Sequence, residues 1–258
     1  MGIGDAIMSV GEARELSRRT GQKVLIVGRD GLPVKSDMFE GVPYLIPQPI
    51  EEPHHRMVNG TGVRPYFSEQ TPTKWTWRKY KPIPAEIYFT DRELAFAEPY
   101  RGMVMVEPNV KAIGHRNKDW GWNKWQQLDD TIYLEQITRL VQCGPPDTRF
   151  LSHVTSVITP SFRLAAAVLS NCRAYVGTEG GLMHVAAAVG TPAVIIWSEF
   201  VSPDITGYDC MCNIRKAGPP CGSRVECESC RWSLDAISPT EVVQALKDIL
   251  NRNPHLER

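Results

Sequence analysis

The amino-acid sequence predicts an α/β fold in which parallel sheets are covered by helices on both faces. Short apolar stretches typical of buried strands recur at 138–142, 154–158, 173–177 and 193–197. Helical segments separate the later stretches, at 161–170 and 182–189. Strands that alternate with helices in this way favour a parallel sheet, because each crossover helix covers one of its faces.

Composition sets the broad class of the protein. Its 258 residues, 42% of them hydrophobic, are enough for one large domain or two small ones with buried cores. Lys plus Arg and Asp plus Glu number 29 each, so the net charge argues neither for nor against nucleic acid. No apolar run approaches the roughly 18 residues of a membrane span, and the N-terminus lacks signal-peptide order. We therefore expect a protein without a membrane span, located in the cytoplasm, where seven cysteines suit a reducing compartment.

The first 100 residues form the predicted N-terminal domain. "GIGDAIMSVGEARELSRRT" indicates a glycine turn followed by an amphipathic helix, and Lys23 to Val27 is the strand after it. Residues 41–100 hold many of the prolines and show no sustained period, so we expect loops and short strands there.

The second predicted domain covers residues 101–258. "MVMVEPNV" indicates a strand that runs into a turn, and the next helix has a buried face of Trp125, Leu128 and Ile132. In the closing helix the N-cap, the first helical residue and the capping-box partner are predicted to be Ser238, Pro239 and Glu241.

Chemistry is concentrated in "GTEGGLMH", at a predicted strand-to-helix turn. Ligands of open α/β sheets lie beyond the carboxyl ends of strands, and the free amides of a helix N-terminus favour phosphate. Gly180 and Gly181 allow close approach of an anion, Glu179 can accept hydrogen bonds from sugar hydroxyls, and His184 faces the same opening. The alternative is a purely structural turn in which Glu179 favours the helix dipole.

Four stretches in order resemble glycosyltransferase family 9, the heptosyltransferase-like enzymes. They are the turn "GIGDAI", the lysine-tryptophan segment "NKDWGWNKW", the donor segment "YVGTEGGLMHVAAAVGTPAVIIW" and the closing "CESCRWSLDAISPTEVVQAL". The resemblance covers both ends of the chain and thins between residues 30 and 100. The overall layout is similar to short members from phages and bacteria, with a first domain much shorter than in lipopolysaccharide heptosyltransferases.

The resemblance implies a GT-B architecture, two Rossmann-like domains with parallel sheets facing across a cleft, the N-terminal one shortened. By position Asp5 matches the general base that takes the proton of the acceptor hydroxyl, although a helix N-cap is its alternative role. Lys118 matches the lysine that meets the departing diphosphate, with Lys111, Arg116 and Lys124 close enough in sequence to replace it. The predicted donor-binding residues are Thr178, Glu179, Gly180, Gly181, Leu182 and His184, with Glu107 and Asn109 beside the nucleoside.

The chain has no Asp-x-Asp motif, the usual carboxylate clamp for a metal-bound nucleotide diphosphate. We therefore expect activity without a required cofactor or divalent metal, with the nucleotide-diphosphate sugar as co-substrate. Separately, Cys212, Cys221, Cys227 and Cys230 have spacing that allows a structural zinc, and ordinary free cysteines are the alternative.

Residues 54–81 carry six Lys or Arg against one Glu, interleaved with aromatic residues. The candidate acceptor-binding residues are Arg64, Lys74, Trp75, Trp77 and Arg78. Such a stretch suits an anionic glycan or unstacked DNA bases equally well, and a loop whose tryptophans pack into the domain is the structural alternative.

The sequence thus predicts an inverting, metal-independent glycosyltransferase that moves a sugar from a nucleotide-diphosphate sugar to an acceptor hydroxyl. The acceptor is a saccharide, such as a lipopolysaccharide core, or alternatively a hydroxymethylated base in phage DNA. A non-catalytic module that binds a nucleotide sugar or nucleic acid is a further alternative.

Overall fold

The computed structural model describes residues 2–59, 64–110, 116–216 and 218–252. Its helices are α1 (Ile3–Thr20), α2 (Asp91–Ala97), α3 (Trp122–Leu134), α4 (Phe162–Asn171), α5 (Gly181–Val189), α6 (Pro203–Thr206), α7 (Glu228–Asp235) and α8 (Pro239–Arg252). Its strands are β1 (Lys23–Val27), β2 (His54–Val58), β3 (Phe67–Gln70), β4 (Trp75–Trp77), β5 (Val104–Glu107), β6 (Leu140–Gly144), β7 (Thr155–Ile158), β8 (Ala174–Thr178), β9 (Ala193–Trp197) and β10 (Cys212–Arg215).

The C-terminal half is built on a six-stranded sheet in the order β10-β9-β8-β5-β6-β7, and every strand pair in it is parallel. Counted along the chain from β5, this is the doubly wound order, in which the first and fourth strands lie side by side. The strand order therefore reverses between β5 and β8, where Glu107 is in register with Gly177. This reversal opens a crevice at the carboxyl ends of the two strands.

Both faces of the sheet are buried, as the alternation of strands and helices predicts. Met105, Tyr175 and Ile195 belong to the core shared with α1, α4 and α5, whereas Val176 and Ile196 belong to the core shared with α3 and α8. The second core includes the predicted helix face, Trp125, Leu128 and Ile132. The α/β fold with a parallel sheet is thus confirmed.

The N-terminal half has much less sheet. Strands β1 and β2 form a parallel pair, and α1 packs against both β1 and α5, so the first helix bridges the two halves. Strands β3 and β4 form an antiparallel hairpin. The hairpin is fastened to the C-terminal half, because the Trp77 indole donates to the Phe200 carbonyl at 2.9 Å and the Trp75 amide to the Gly222 carbonyl at 2.8 Å.

The strand Lys23–Val27 is confirmed, and so are the helix after the opening glycine turn and the Ser238 N-cap, whose Oγ accepts from the Glu241 amide at 3.1 Å. Helix α2 was missed in a region expected to hold loops and short strands. Its signal was present, since Thr90 and Glu93 form a capping box. Helix α2 packs on α4 of the C-terminal half, and the division of the chain at residue 101 stays a prediction.

In the described part of the chain, no helix combines the length and apolar character needed to cross a membrane.

Candidate active site

A cleft of about 820 Å³ lies where the sheet order reverses. The C-terminal half lines it with the ends of β5 and β8, the start of α5 and the segment after β9, and the N-terminal half with the start of α1 and the β3–β4 hairpin. The cleft therefore brings together the crevice that a doubly wound sheet forms and the beginning of the chain's first helix.

The first backbone amides of α5 lie at this cleft, and among the described residues no side chain caps the helix. Gly180 precedes the helix in extended conformation, and Thr178, Gly180, Gly181 and Leu182 all line the cleft. A side chain at Gly4 of α1 would meet the His184 ring at 2.9 Å, so the bare backbone of Gly4 permits the close approach of the two helix starts. The arrangement favours an anion at this point.

Glu179 and Lys118 form an ion pair at the N-terminus of α5. Their side chains are 11% and 13% exposed, so the pair is largely shielded from water. The Lys118 ammonium also lies 5.0 Å from the centre of the Phe200 ring. Two other cations near Lys118 in sequence have different partners. Arg116 forms an ion pair with Glu226 at the surface. Lys124 donates to backbone carbonyls at the C-terminal end of α7. Lys111 lies outside the described residues.

Asp5 faces the cleft from the first turn of α1 and is held by three partners. Its Oδ2 lies 2.8 Å from the Arg64 guanidinium and accepts from the Gly2 amide at 3.1 Å, and its Oδ1 accepts from the Tyr66 hydroxyl. Burial raises the pKa of Tyr66 well above its ordinary value, so the phenol keeps its proton and donates it. These contacts fix the carboxylate in one orientation.

His184 is buried at the base of the cleft. Burial lowers the pKa of His184 to about 4, so the ring is neutral near pH 7. Its Nδ1 lies 2.9 Å from the Tyr208 hydroxyl, and burial raises the pKa of Tyr208, which keeps that hydroxyl protonated. With Tyr208 donating to Nδ1, the ring proton sits on Nε2, the nitrogen on the side of Gly4.

Glu107 ends β5 at the reversal point and lines the cleft beside Asn109. Burial raises the pKa of Glu107 to about 7, an effect that the hydrogen bond from the Asn109 amide at 2.8 Å opposes. Asn109 in turn donates through Nδ2 to the Arg149 carbonyl. The carboxyl group can therefore donate or accept a hydrogen bond near neutral pH.

The hairpin side of the cleft is an aromatic wall. The rings of Trp75 and Trp77 each lie within 6 Å of the Phe200 ring, at 5.9 and 5.3 Å between centres. Two guanidinium groups lie beside the Trp75 ring, that of Arg64 at 5.6 Å and that of Arg224 at 5.8 Å. This wall combines flat apolar surface with positive charge.

Two predicted acceptor residues lie outside the cleft. Lys74 and Arg78 belong to the hairpin but do not line it: Lys74 bridges to Ser223, and Arg78 donates its amide to the Tyr66 carbonyl. In a hairpin, successive side chains point to opposite faces, so the neighbours of the lining Trp75 and Trp77 turn away. Other lining residues were not among the predicted site residues. Tyr66 and Gln70 lie within the basic and aromatic stretch 54–81, whereas Phe200 and Arg224 lie far from it in sequence and no local motif marks them.

Three of the four predicted zinc ligands come together. Cys221, Cys227 and Cys230 each offer a sulfur atom within 4.8 Å of the others, and Cys221 and Cys230 are 3.4 Å apart. Hydrogen bonds from its two neighbours lower the pKa of Cys221 to about 6, which favours the thiolate that metals bind. Cys212, the fourth predicted ligand, lies exposed in β10 and outside this group.

Backbone amides of the cysteine cluster donate hydrogen bonds to residues next to the cleft. The Cys221 amide donates to the Glu199 carbonyl at 2.7 Å, next to Phe200, and the Cys227 amide to Asn117 Oδ1 at 3.1 Å, next to Lys118. Between the cysteines, the Arg224 amide donates to the Thr73 carbonyl of the hairpin. The loop therefore positions the aromatic wall and the lysine together.

The fold and cleft define a class: a GT-B-type α/β fold with its cleft at the switch point of a doubly wound sheet. The chain resembles the bacterial iron-containing dodecameric glycosyltransferase TibC from enterotoxigenic E. coli, with a TM-score of 0.68 at 12% identity over 98% of this chain and 74% of that one. It also resembles E. coli ADP-heptose LPS heptosyltransferase II, with a TM-score of 0.51 at 19% identity over 66% of this chain and 54% of that one. The chain thus spans about half the length of the latter. At sequence identities of 12% and 19%, the structural similarity shows the fold alone.

A family model also matches part of the sequence. Residues 83–208 match the model of glycosyltransferase family 9 (heptosyltransferase), which confirms the resemblance predicted from the motifs. No protein of curated function matches the chain. Together, the family match and the structural neighbours support a glycosyltransferase.

Proposed function

We propose that the protein is an inverting glycosyltransferase that moves a sugar from a nucleotide-diphosphate sugar to the hydroxyl of a saccharide. One observation carries the proposal: a single cleft holds the carboxylate of Asp5 and, within contact distance of the same helix, the amide-rich start of α5. A proton acceptor and an anion site in one cleft are the two elements that glycosyl transfer from a diphosphate requires.

The donor binds on the C-terminal side. Its diphosphate lies at the start of α5, where the amides after Gly180 and the helix dipole favour negative charge. Glu179 accepts hydrogen bonds from the sugar hydroxyls, and His184 donates a hydrogen bond from Nε2 to the bound donor. Glu107 and Asn109 bind the nucleoside where the strand order reverses.

In the reaction the acceptor oxygen attacks the anomeric carbon from the face opposite the diphosphate. A new carbon–oxygen bond forms as the bond to the diphosphate oxygen breaks, and Asp5 takes the hydroxyl proton. Lys118 and the amides of α5 meet the charge that develops on the leaving diphosphate. Because attack and departure occur on opposite faces, the configuration of the anomeric carbon inverts.

Both catalytic groups are paired before substrates bind, Asp5 with Arg64 and Lys118 with Glu179. Both pairs must change when substrates bind. The hydroxyl of the acceptor sugar donates a hydrogen bond to an oxygen of Asp5 in place of a present donor. The diphosphate draws the Lys118 ammonium away from Glu179. The released Glu179 then faces the sugar. The pairs keep each group in place until the substrates arrive.

The acceptor binds on the N-terminal side, along the aromatic wall of Trp75, Trp77 and Phe200. Flat rings with adjacent cations suit an anionic saccharide, since rings stack on sugars and guanidinium groups pair with acidic substituents. A DNA acceptor has less support, because Lys74 and Arg78, two of the basic side chains that would follow a phosphate backbone, do not line the cleft.

The reaction requires no divalent metal, because the charge of the leaving group is met by Lys118 and α5. In the cysteine cluster, Cys221, Cys227 and Cys230 supply three thiolate ligands for a structural ion that takes no part in the transfer. Such an ion would hold the loop that positions Phe200 and Lys118. Less than half an equivalent of zinc and iron together, measured by elemental analysis of the purified protein, would refute it.

The test is a transfer assay with a panel of nucleotide sugars against glycan and hydroxymethylated DNA acceptors, read by mass spectrometry. We expect a glycan product that forms in EDTA and whose new linkage, read by NMR, has the opposite anomeric configuration to the donor. Transfer to DNA, or activity that EDTA abolishes and magnesium restores, would contradict the acceptor or the metal independence respectively.

A further inference from the structure

A second group of potential metal ligands lies outside the cleft. Asp129 and Asp130 are neighbours on α3, and His153 lies in the segment between β6 and β7. Each of the three offers one ligand atom, and these atoms lie within 4.8 Å of one another. None of them lines the cleft, so the proposed transferase activity does not explain why they converge.

Asp129 is the buried member of this group. Its side chain is inaccessible to solvent, and its Oδ2 accepts from the His153 amide at 2.8 Å and from Gln126 Nε2 at 3.1 Å. Its Oδ1 is also buried, yet it has no hydrogen-bond partner among the described residues. A buried carboxylate with an unpartnered oxygen is costly, and a cation bound to the Asp129 carboxylate would offset that cost by neutralising its charge.

The charges around Asp129 also favour a cation. Asp130 adds a second carboxylate, and no Lys or Arg of the described residues forms an ion pair with either aspartate. The imidazole of His153 faces them, with Nε2 3.3 Å from Asp130 Oδ1. The group thus offers two carboxyl groups and one imidazole, which are ligand types that divalent cations accept.

His153 is oriented for ligation. Its ring stacks on the Tyr133 ring with 4.0 Å between centres and an interplanar angle of 7°, so packing fixes the plane of the imidazole. Two ligand atoms that are each ~2.1 Å from one ion lie ~3.4 Å apart at a tetrahedral angle. The 3.3 Å between Nε2 and Asp130 Oδ1 matches that spacing.

We propose that Asp129, Asp130 and His153 bind a divalent cation of the Mn²⁺ or Zn²⁺ class. Carboxylate oxygens suit Mn²⁺, and an imidazole nitrogen extends the choice to Zn²⁺. The ion joins α3 to the segment before β7, from which the Arg149 carbonyl accepts a hydrogen bond from Asn109 in the cleft. The site is thus a structural one, distinct in position and ligand chemistry from the cysteine cluster.

Mn²⁺ is the probe of choice, because thiolates of the cysteine cluster prefer softer metals. The full-length protein is stripped with EDTA and titrated with Mn²⁺, and the free ion is followed by electron paramagnetic resonance. The variants are Asp130→Asn and His153→Gln, whose side chains are 45% and 33% exposed, so both are expected to fold. Asp248→Asn is the matched control, since its Oδ1 accepts from Gln244 four residues earlier as Asp130 accepts from Gln126.

We expect one Mn²⁺ per chain in the wild type and the control, and an affinity lower by about tenfold or more in both variants. Mn²⁺ should also raise the Tm of the wild type and the control and leave that of the variants unchanged. Less than half an equivalent bound by the wild type, or equal affinity in the wild type and both variants, would overturn the proposal. Circular dichroism of each variant separates lost binding from lost folding, and glycosyl transfer is not needed as a readout.

Discussion

The two halves of the molecule bring residues to the cleft in different ways. In the C-terminal half, Glu107 and Thr178 end neighbouring parallel strands, so the backbone ladder of the sheet sets their positions. In the N-terminal half, Asp5 begins a helix and Trp75 lies in a two-stranded hairpin, and both are held by contacts with other segments. The proposed donor side is thus fixed by the sheet, and the proposed acceptor side by hydrogen bonds and packing.

The same contrast holds for the two ion pairs of the cleft. Lys118 and Glu179 both belong to the C-terminal half, whereas Arg64 and Asp5 both belong to the N-terminal half. Each half therefore carries one shielded pair, and each pair contains one group with a proposed catalytic role. Variants that remove one member at a time test whether one pair serves the donor side and the other pair serves the acceptor side.

The largest effect is expected for Asp5→Asn. The amide keeps the shape of the carboxylate but cannot take the acceptor proton, so transfer should slow by about 10³-fold. The measurement is kcat with saturating donor and acceptor. Asp91→Asn is the control, because Asp91 also lies in the first turn of a helix but is exposed and outside the cleft. An Asp5→Asn variant with an unchanged rate would remove Asp5 from the mechanism.

Lys118→Met tests the donor side. The apolar side chain removes the cation that meets the leaving diphosphate, and loss of one such group typically costs about 10²- to 10³-fold in kcat. Steady-state kinetics with varied donor should show this fall. Arg116→Gln is the control, since the Arg116 side chain is 78% exposed and pairs at the surface. If Arg116→Gln slows transfer and Lys118→Met does not, the lysine assignment belongs to Arg116.

The C-terminal half could be predicted well from sequence because its signals are local. Apolar strands that alternate with helices specify a parallel sheet, and such a sheet places Glu107, Thr178 and Glu179 at one edge. The helix face of Trp125, Leu128 and Ile132 follows from a simple period, and all three side chains are buried.

The N-terminal half was less predictable, since long-range contacts decide its shape. Nothing near Arg64 or Tyr66 in sequence shows that both bind Asp5, some 60 residues away. Similarly, Arg224 reaches Trp75 only because the cysteine loop pairs with the hairpin. Basic and aromatic composition drew attention to the stretch, but it could not tell Trp75 and Trp77, which line the cleft, from Lys74 and Arg78, which do not.

A pH titration of stability tests the half-buried carboxyl group at the end of β5. The pKa of Glu107 is about 7 in the folded protein, against an ordinary value of 4.5. Between these values the folded state holds a proton that the unfolded state has lost, so stability falls as pH rises and levels off above about pH 7. Glu107→Gln should abolish this fall and gain up to about 3 kcal/mol at pH 8, measured by urea denaturation. Glu69→Gln, an exposed change on β3, should leave the pH profile as in the wild type, and parallel profiles for wild type and Glu107→Gln would contradict the buried carboxyl.

The smallest and most selective effect is expected on the hairpin. Gln70 lines the cleft at the end of β3, whereas Ser68, two residues earlier on the same exposed strand, does not line it. Gln70→Ala removes one hydrogen-bonding group from the proposed acceptor side, which should raise the acceptor KM by about fivefold, equivalent to roughly 1 kcal/mol. The donor KM should stay constant, and Ser68→Ala should change neither constant. A rise in the donor KM instead would mean that the hairpin contacts the nucleotide sugar. Gln70 would then belong to the donor side of the cleft, against the proposed assignment of the two halves.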